Sequence, residues 1–376
     1  MIIGVDTTNI KSAGGCVYLE ELVTNFSIEG AELVMWADED KANYFKDKID
    51  TTNVKIVVKK ELSSNLIVRV YWQTMIFPNE VRSIGCDVVL NLNGIFLGKG
   101  LDFVTVCQNI LPYDFREVLR SGFQMITLKL ILMKWLQLRT FRQAKGVIFL
   151  SQYSKQKVFQ FMKEVNYSVI PHSAHNFGTI DKKQRCISYY SKQNPYKIFC
   201  ILSFVSHHHQ CQVLAAVAHL KRFMPVSLTF ISNSSNKRKL KQFKRALSIH
   251  DPEGLWVEHL EGFNYESIRE VYSQVDLLVF PSTIESFGIP IVEAMNSKIP
   301  IVCSMAPSLM ANFGNKLFYC NIFSKENTVD VIKNIIESPH LRQVQVDRNY
   351  KYSKSNSWKS VATETFDFIT STLEVN

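Results

Sequence analysis

Thirteen short apolar runs, rich in β-branched residues, recur along this chain, and longer helical patterns separate them. In the first half they are residues 2–5, 33–36, 54–58, 88–92, 104–107, 147–150 and 168–170. In the second they are 198–203, 226–231, 256–260, 277–280, 301–304 and 317–319. A strand with one wet face alternates apolar and polar residues, whereas a continuous apolar run is buried on both faces. Buried runs that alternate with helices demand parallel sheets built from βαβ units, so the chain is α/β. The series restarts after a polar stretch at 178–197, which places a linker near residue 175. Two doubly wound, Rossmann-like domains of ordinary size follow, 1–175 and 176–356. An approximate helical period over 357–375, with Trp358, Val361, Ala362, Phe366, Ile369 and Leu373, ends the chain.

Composition agrees with two packed cores. The 376 residues are 46% hydrophobic and 20% charged, which excludes intrinsic disorder. Lys+Arg 43 against Asp+Glu 34 gives a net charge of +9, which suits an anionic partner and equally suits simple solubility. The eight cysteines include no Cys-x-x-Cys pair and no zinc-ligand spacing, and several sit in apolar runs. A reducing, cytoplasmic setting is expected. The first residues lack a basic segment followed by a long apolar one, and no uncharged apolar stretch reaches 18 residues. Neither a signal peptide nor a spanning helix is expected.

The segment 276–303 carries the chemistry. A strand ends near Phe280, a loop follows with Pro281, Ser282 and Thr283, and Gly288 permits positive φ or close backbone approach. Pro290 suits the first turn of a helix that continues through Glu293. Open α/β sheets bind ligands at the carboxyl ends of their strands, and a helix start there attracts phosphate. Glu285 therefore belongs to the ligand crevice, and Glu293 lies eight residues later on the helix. Carboxylates repel phosphate, so these two fit neutral hydroxyls as charge-assisted acceptors.

The text Glu285-Ser286-Phe287-Gly288-Ile289-Pro290, then Glu293-Ala294-Met295, preceded by Asp276-Leu277-Leu278-Val279-Phe280-Pro281-Ser282, resembles the E-x7-E signature of retaining family 4 glycosyltransferases. The resemblance implies a GT-B fold, two Rossmann-like domains with a cleft between them. It implies that Glu285 contacts the transferred sugar as the catalytic residue, that Glu293 holds the ribose, and that the amides of Ser286, Phe287 and Gly288 face the diphosphate. It extends over nearly the whole chain. Residues 260–264 and 268–272 resemble the unit before the signature, 169–172 the interdomain turn, and 146–154 the last N-domain strand and its loop. The helix at 357–376 resembles the segment that crosses back to the first domain.

Three further features are read beside their plainer alternatives. Gly14 and Gly15 lie between the first strand and a helix expected from Cys16, where the family has a donor-facing Gly-Gly turn; the alternative is a tight turn. Their spacing is not the G-x-G-x-x-G of a dinucleotide dehydrogenase. Gln108 stands where the family has a donor-touching His, and its alternative is a locally satisfied amide. His207, His208 and His209 follow the first strand of the second domain, where the family has an Arg and a Lys; no Lys or Arg lies between Ser203 and His219. His207 is assigned to the donor site as a partial substitute. Metal binding by adjacent histidines, or by Asp38-Glu39-Asp40, is the weaker reading, and no metal and no cofactor is expected.

Residues 123–142 are strongly apolar but carry Lys129, Lys134, Trp135 and Arg139. They read either as a buried helix with snorkelling cations or as a segment that meets an anionic membrane surface. The basic run 237–245 reads as a solvated helix face, with no nucleic-acid motif beside it. The expected function is retaining, metal-independent transfer of a hexose or related sugar from a nucleotide-sugar donor to a glycan or lipid-linked acceptor. The setting implied is bacterial surface polysaccharide or glycolipid assembly, in the cytoplasm and peripheral to the membrane. The alternatives are a non-catalytic glycosyltransferase-like subunit, suggested by the missing Arg/Lys pair, and another GT-B enzyme such as a nucleotide-sugar epimerase.

Overall fold

The computed structural model describes residues 1–10, 13–49, 52–120, 125–175, 187–232, 236–261 and 265–374. The chain divides into two compact units. The first comprises Met1–Val118, Gly122–His172 and Ser357–Asn376; the second comprises Leu119–Ser121 and Ser173–Asn356. The division falls between His172 and Ser173, three residues before the expected boundary. Residues 176–186, which include the first part of the expected polar stretch 178–197, lie outside the described residues, as does the loop 262–264.

All thirteen expected strands form. The N-terminal unit holds β1 (Ile2–Asp6), β2 (Glu32–Ala37), β3 (Val54–Val58), β4 (Val88–Asn91), β5 (Phe103–Cys107), β6 (Gly146–Phe149) and β7 (Tyr167–Val169). They make one parallel sheet in the order β3-β2-β1-β4-β5-β6-β7. The second unit holds β8 (Tyr196–Ile201), β9 (Val226–Ser232), β10 (Val257–Glu261), β11 (Leu277–Phe280), β12 (Ile301–Ser304) and β13 (Phe318–Cys320). Its order, also parallel, is β10-β9-β8-β11-β12-β13. In both sheets the order reverses beside the first strand, which creates the crevice that doubly wound sheets use for ligands. The central strands are buried throughout, which is why their sequences lack alternation.

Aromatic packing closes each core. In the first unit Trp36, Trp72, Phe77, Phe96 and Phe103 form one buried cluster with Val34, Leu62, Val81 and Val89. Gly4 makes room for it: a Cβ there would sit 3.1 Å from Trp36 Cζ3. In the second unit Phe204, Phe230 and Phe243 pack ring to ring at centroid separations of 4.8–4.9 Å, under the basic face of helix Lys237–His250. Cys107, Cys200, Cys303 and Cys320 are buried and act as small hydrophobes.

The C-terminal helix Trp358–Glu374 belongs to the N-terminal unit. Trp358 and Phe366 face Tyr18 and Phe26, at ring separations of 6.1 and 4.9 Å, and Phe368 lies over Gly146. His172 is packed between Tyr18 and Trp358, and burial lowers its pKa to about 3, so it stays neutral. Within the second unit, Ser173 Oγ–H donates to the Asn356 carbonyl at 3.1 Å.

Two features that the sequence left with alternatives take a definite form. Asp38-Glu39-Asp40 is a helix start: Asp38 caps helix Glu39–Phe45 by accepting from Lys41 N–H and pairs with Lys41 Nζ. Of residues 123–142, the first two lie outside the described residues, and over 125–142 the buried-helix reading fails. Within helix Met125–Gln143, Met125 is 81% exposed, and Leu128, Ile131, Leu132 and Trp135 form an exposed stripe at helical spacing. Only Leu130, Gln137, Thr140 and Phe141 are buried there. Lys134 does turn inward, its Nζ 3.1 Å from the Phe161 ring centroid.

Candidate functional site

The site of the second unit is built where β8 and β11 end side by side. The two following loops zip together. Thr283 N–H donates to the His207 carbonyl at 2.9 Å, His209 N–H donates to the Pro281 carbonyl at 3.2 Å, and His208 and Ser282 form an antiparallel bridge. The loop from β11 is also held from β12, since Ser304 Oγ–H donates to the Ser282 carbonyl. Glu285 N–H donates to Ser308 Oγ at 3.0 Å. Asn312 Nδ2 donates to the carbonyls of Ser286 and Phe287, each at 3.4 Å. With those carbonyls turned to Asn312, the Ser286-Phe287-Gly288 segment is held from outside, leading straight into helix Ile289–Asn296.

Gly288 is the helix N-cap at φ 111°, a conformation that disfavours L side chains, and a Cβ would lie 3.2 Å from Ile291 Cδ1. Pro290 occupies the first turn. A left-handed cap followed by proline starts this helix abruptly, which leaves its first amides and its dipole at the crevice.

The two glutamates have different surroundings. Glu285 keeps 22% of its side chain exposed and places Oε1 3.3 Å from His208 Nε2. Glu293 is only 4% exposed. Its Oε2 is 3.1 Å from the hydroxyl of Tyr272, on helix Tyr265–Gln274, and that same hydroxyl is 3.2 Å from the Pro290 carbonyl. One phenolic hydrogen shared by two acceptors compensates a buried carboxylate poorly. Burial accordingly raises the Glu293 pKa from 4.5 to about 7, against the lowering effects of Tyr272 and His175.

The sequence assigned His207 to the donor, and its side chain differs from that expectation. Its carbonyl takes part in the loop pairing, while burial holds its imidazole well below the ordinary His pKa, with His208 and His209 adding to the effect. It is His208 whose ring reaches Glu285. The signal in sequence is the triplet itself, but which ring points inward depends on the bridge to Ser282, seventy-four residues away. His207, His208 and Glu285 bring ring nitrogens and a carboxylate oxygen within 4.8 Å of one another. Both nitrogens of His208 face oxygen atoms, Ser203 O at 2.7 Å and Glu285 Oε1 at 3.3 Å.

The other expected residues lie in the N-terminal unit, at the carboxyl edge of its sheet. Gly14 and Gly15 fall inside the first turn of helix Ala13–Thr24, so the helix begins earlier than Cys16 and the two glycines belong to its amide end, after β1. Gln108 directly follows β5 and is half-buried.

Residues 187–352 match the sequence model of the family Glycosyl transferases group 1. The chain is thus a GT-B-fold protein, and it is a stretch of its second unit that matches the family model. Among curated proteins it is 30% identical over 116 residues to O-antigen chain mannosyltransferase B of Escherichia coli, covering 30% of this chain and 29% of that protein. It is 34% identical over 83 residues to O-antigen chain mannosyltransferase RfbU of Salmonella typhimurium, covering 22% and 24%. The matched stretches thus span less than a third of those relatives' own lengths. Among solved structures, sucrose-phosphate synthase of Thermosynechococcus elongatus superposes with a TM-score of 0.80 at 12% identity, over 100% of this chain and 99% of that one. HepE of Anabaena with UDP-glucose gives 0.73 at 16% over 98% and 99%, and WaaG, a glycosyltransferase of lipopolysaccharide biosynthesis, gives 0.71 at 13% over 98% and 100%.

Proposed function

We propose that this protein is a retaining glycosyltransferase that moves a sugar from a nucleotide-sugar donor to an acceptor hydroxyl of a glycan or lipid-linked glycan. The observation that carries the reading is the pair Glu285 and Glu293, one in the loop before and one within an abruptly started helix at the carboxyl end of β11. Glu285, partly exposed, accepts from hydroxyls of the transferred sugar. Glu293, buried beside Tyr272, accepts from the ribose. The amides of Ser286, Phe287 and Gly288 meet the diphosphate, whose charge grows as the sugar departs. Donor and acceptor are held by the protein, and the leaving diphosphate takes the acceptor proton on the same face, so transfer proceeds with retention and without a metal ion. Gly14, Gly15 and Gln108 complete the donor contacts. The names of the two curated relatives favour a mannosyl donor and O-antigen-like surface polysaccharide assembly as the setting.

Access to a lipid-linked acceptor is through helix Met125–Gln143. No described helix is long and apolar enough to cross a membrane. The exposed stripe Leu128, Ile131, Leu132 and Trp135, with Lys129 and Arg139 exposed beside it, suits the interface of an anionic bilayer. The protein then works peripherally on the cytoplasmic face.

The test is a panel of nucleotide sugars, assayed for binding by calorimetry and for slow hydrolysis. One donor should bind and turn over, and Glu293→Ala should stay folded while losing most of its nucleotide affinity. A folded Glu293→Ala protein with unchanged affinity would refute the assignment.

A further inference from the structure

The ring of His208 joins the loop after β8 to the carboxylate of Glu285. Nδ1 lies 2.7 Å from the Ser203 carbonyl oxygen and Nε2 lies 3.3 Å from Glu285 Oε1. A carbonyl and an ionised carboxylate are acceptors only, and a neutral imidazole has one N–H. With the hydrogen on Nδ1, the Nε2 lone pair would face the carboxylate. With it on Nε2, the Nδ1 lone pair would face the carbonyl at 2.7 Å. The imidazolium alone satisfies both. Burial keeps the neighbouring His207 and His209 below their ordinary pKa, the latter at about 4. The backbone on both sides is fixed, by the His208–Ser282 bridge and by Glu285 N–H donating to Ser308 Oγ.

We propose that His208 is the positioning residue of the donor site: an imidazolium clamped between Ser203 and Glu285, it fixes the orientation of the carboxylate and neutralises it where an anionic nucleotide sugar must bind. The proposal rests on the reading of Glu285 as the sugar contact. A carboxylate with one oxygen pinned presents the other in a fixed direction, so its hydrogen bond to the sugar needs no reordering in the transition state. Neutralisation removes a repulsion that a free Glu285 would exert on the diphosphate.

The test is a double-mutant cycle of His208→Gln and Glu285→Gln, read as kcat and KM for hydrolysis of UDP-glucose and GDP-mannose and as calorimetric affinity for UDP and GDP. His208→Gln should lower kcat roughly tenfold or more with a smaller effect on nucleoside diphosphate affinity, the size expected for a lost charge-assisted bond. In the Glu285→Gln background it should change little. An unchanged kcat, or a loss that adds in full to that of Glu285→Gln, overturns the proposal. Nitrogen-15 NMR of the histidine-labelled wild type gives an answer that does not depend on turnover. A His208 ring protonated on both nitrogens, lost in Glu285→Gln, supports the clamp. A single neutral tautomer, or a ring signal that shifts when a chelator removes a bound divalent ion, overturns it. If the wild type hydrolyses and binds none of the nucleotides, the glycosyltransferase reading fails, and the NMR result still decides the clamp.

Discussion

Replacing Glu293 with Gln should stabilise the unliganded protein and weaken its nucleotide binding. The carboxyl group is buried, and its pKa rises from 4.5 to about 7. An acid raised on folding is more easily ionised in the unfolded chain, so its cost is absent below the unfolded value, grows between the two, and is complete above the folded one. Evaluated at pH 8, that gap corresponds to roughly 3 kcal/mol, and at pH 5 to less than about 1 kcal/mol. Gln keeps the shape and can still accept from Tyr272, but it cannot ionise. Urea unfolding of the second unit's transition, followed at both pH values without ligand, should show Glu293→Gln more stable than wild type by roughly 2–3 kcal/mol at pH 8 and close to it at pH 5. The same variant should bind nucleoside diphosphate roughly tenfold more weakly, since a charged acceptor for the ribose is gone. Stability would then be gained where affinity is lost, as expected of a residue kept for function. A stability difference of the same size at both pH values, or a variant less stable at pH 8, would refute the reasoning.

Other substitutions probe other parts of the account. Gly288→Ala places a side chain at φ 111° and against Ile291, so it should cost roughly 1–3 kcal/mol in denaturant unfolding and abolish measurable nucleotide binding. Arg342 is fully buried and its Nη1 donates to the carbonyls of Ile335 and Ile336 at the end of helix Lys325–Glu337; Arg342→Met should destabilise the second unit by about 2–4 kcal/mol, read by thermal unfolding. Ile131→Ser with Trp135→Ser should leave the melting temperature nearly unchanged, because both residues are exposed, yet reduce co-sedimentation with anionic liposomes at low salt. Wild-type protein that fails to co-sediment would remove the membrane proposal.

The two sheets were legible because parallel strands buried on both faces leave a signal that needs no knowledge of their partners. Leu277 to Phe280 and Ile301 to Ser304 are uninterrupted apolar or small residues, and both became buried strands. The Glu285–Glu293 unit was legible for a related reason: strand, loop, cap and helix are contiguous, so spacing alone places both carboxylates. What depended on distant pairing was not legible. Tyr272 meets Glu293 from another helix, and no local pattern announces a phenol as its partner. The choice between His207 and His208 is set by a bridge to Ser282, and one residue of rotation in a loop exchanges an inward ring for one facing the carboxylate. The apolar helix stayed open between two readings because its hydrophobic residues surround it on all sides, a composition that fits either burial or a bilayer surface; packing removes the first.

The central claim, sugar transfer with retention at the Glu285–Glu293 site, is tested most directly by proton NMR of the sugar released from the donor that binds best. The account predicts slow release from wild-type protein with the anomeric configuration of the donor in the first-formed product, and loss of that release in Glu285→Gln. An inverted first product, or release that is unchanged in Glu285→Gln, would contradict it.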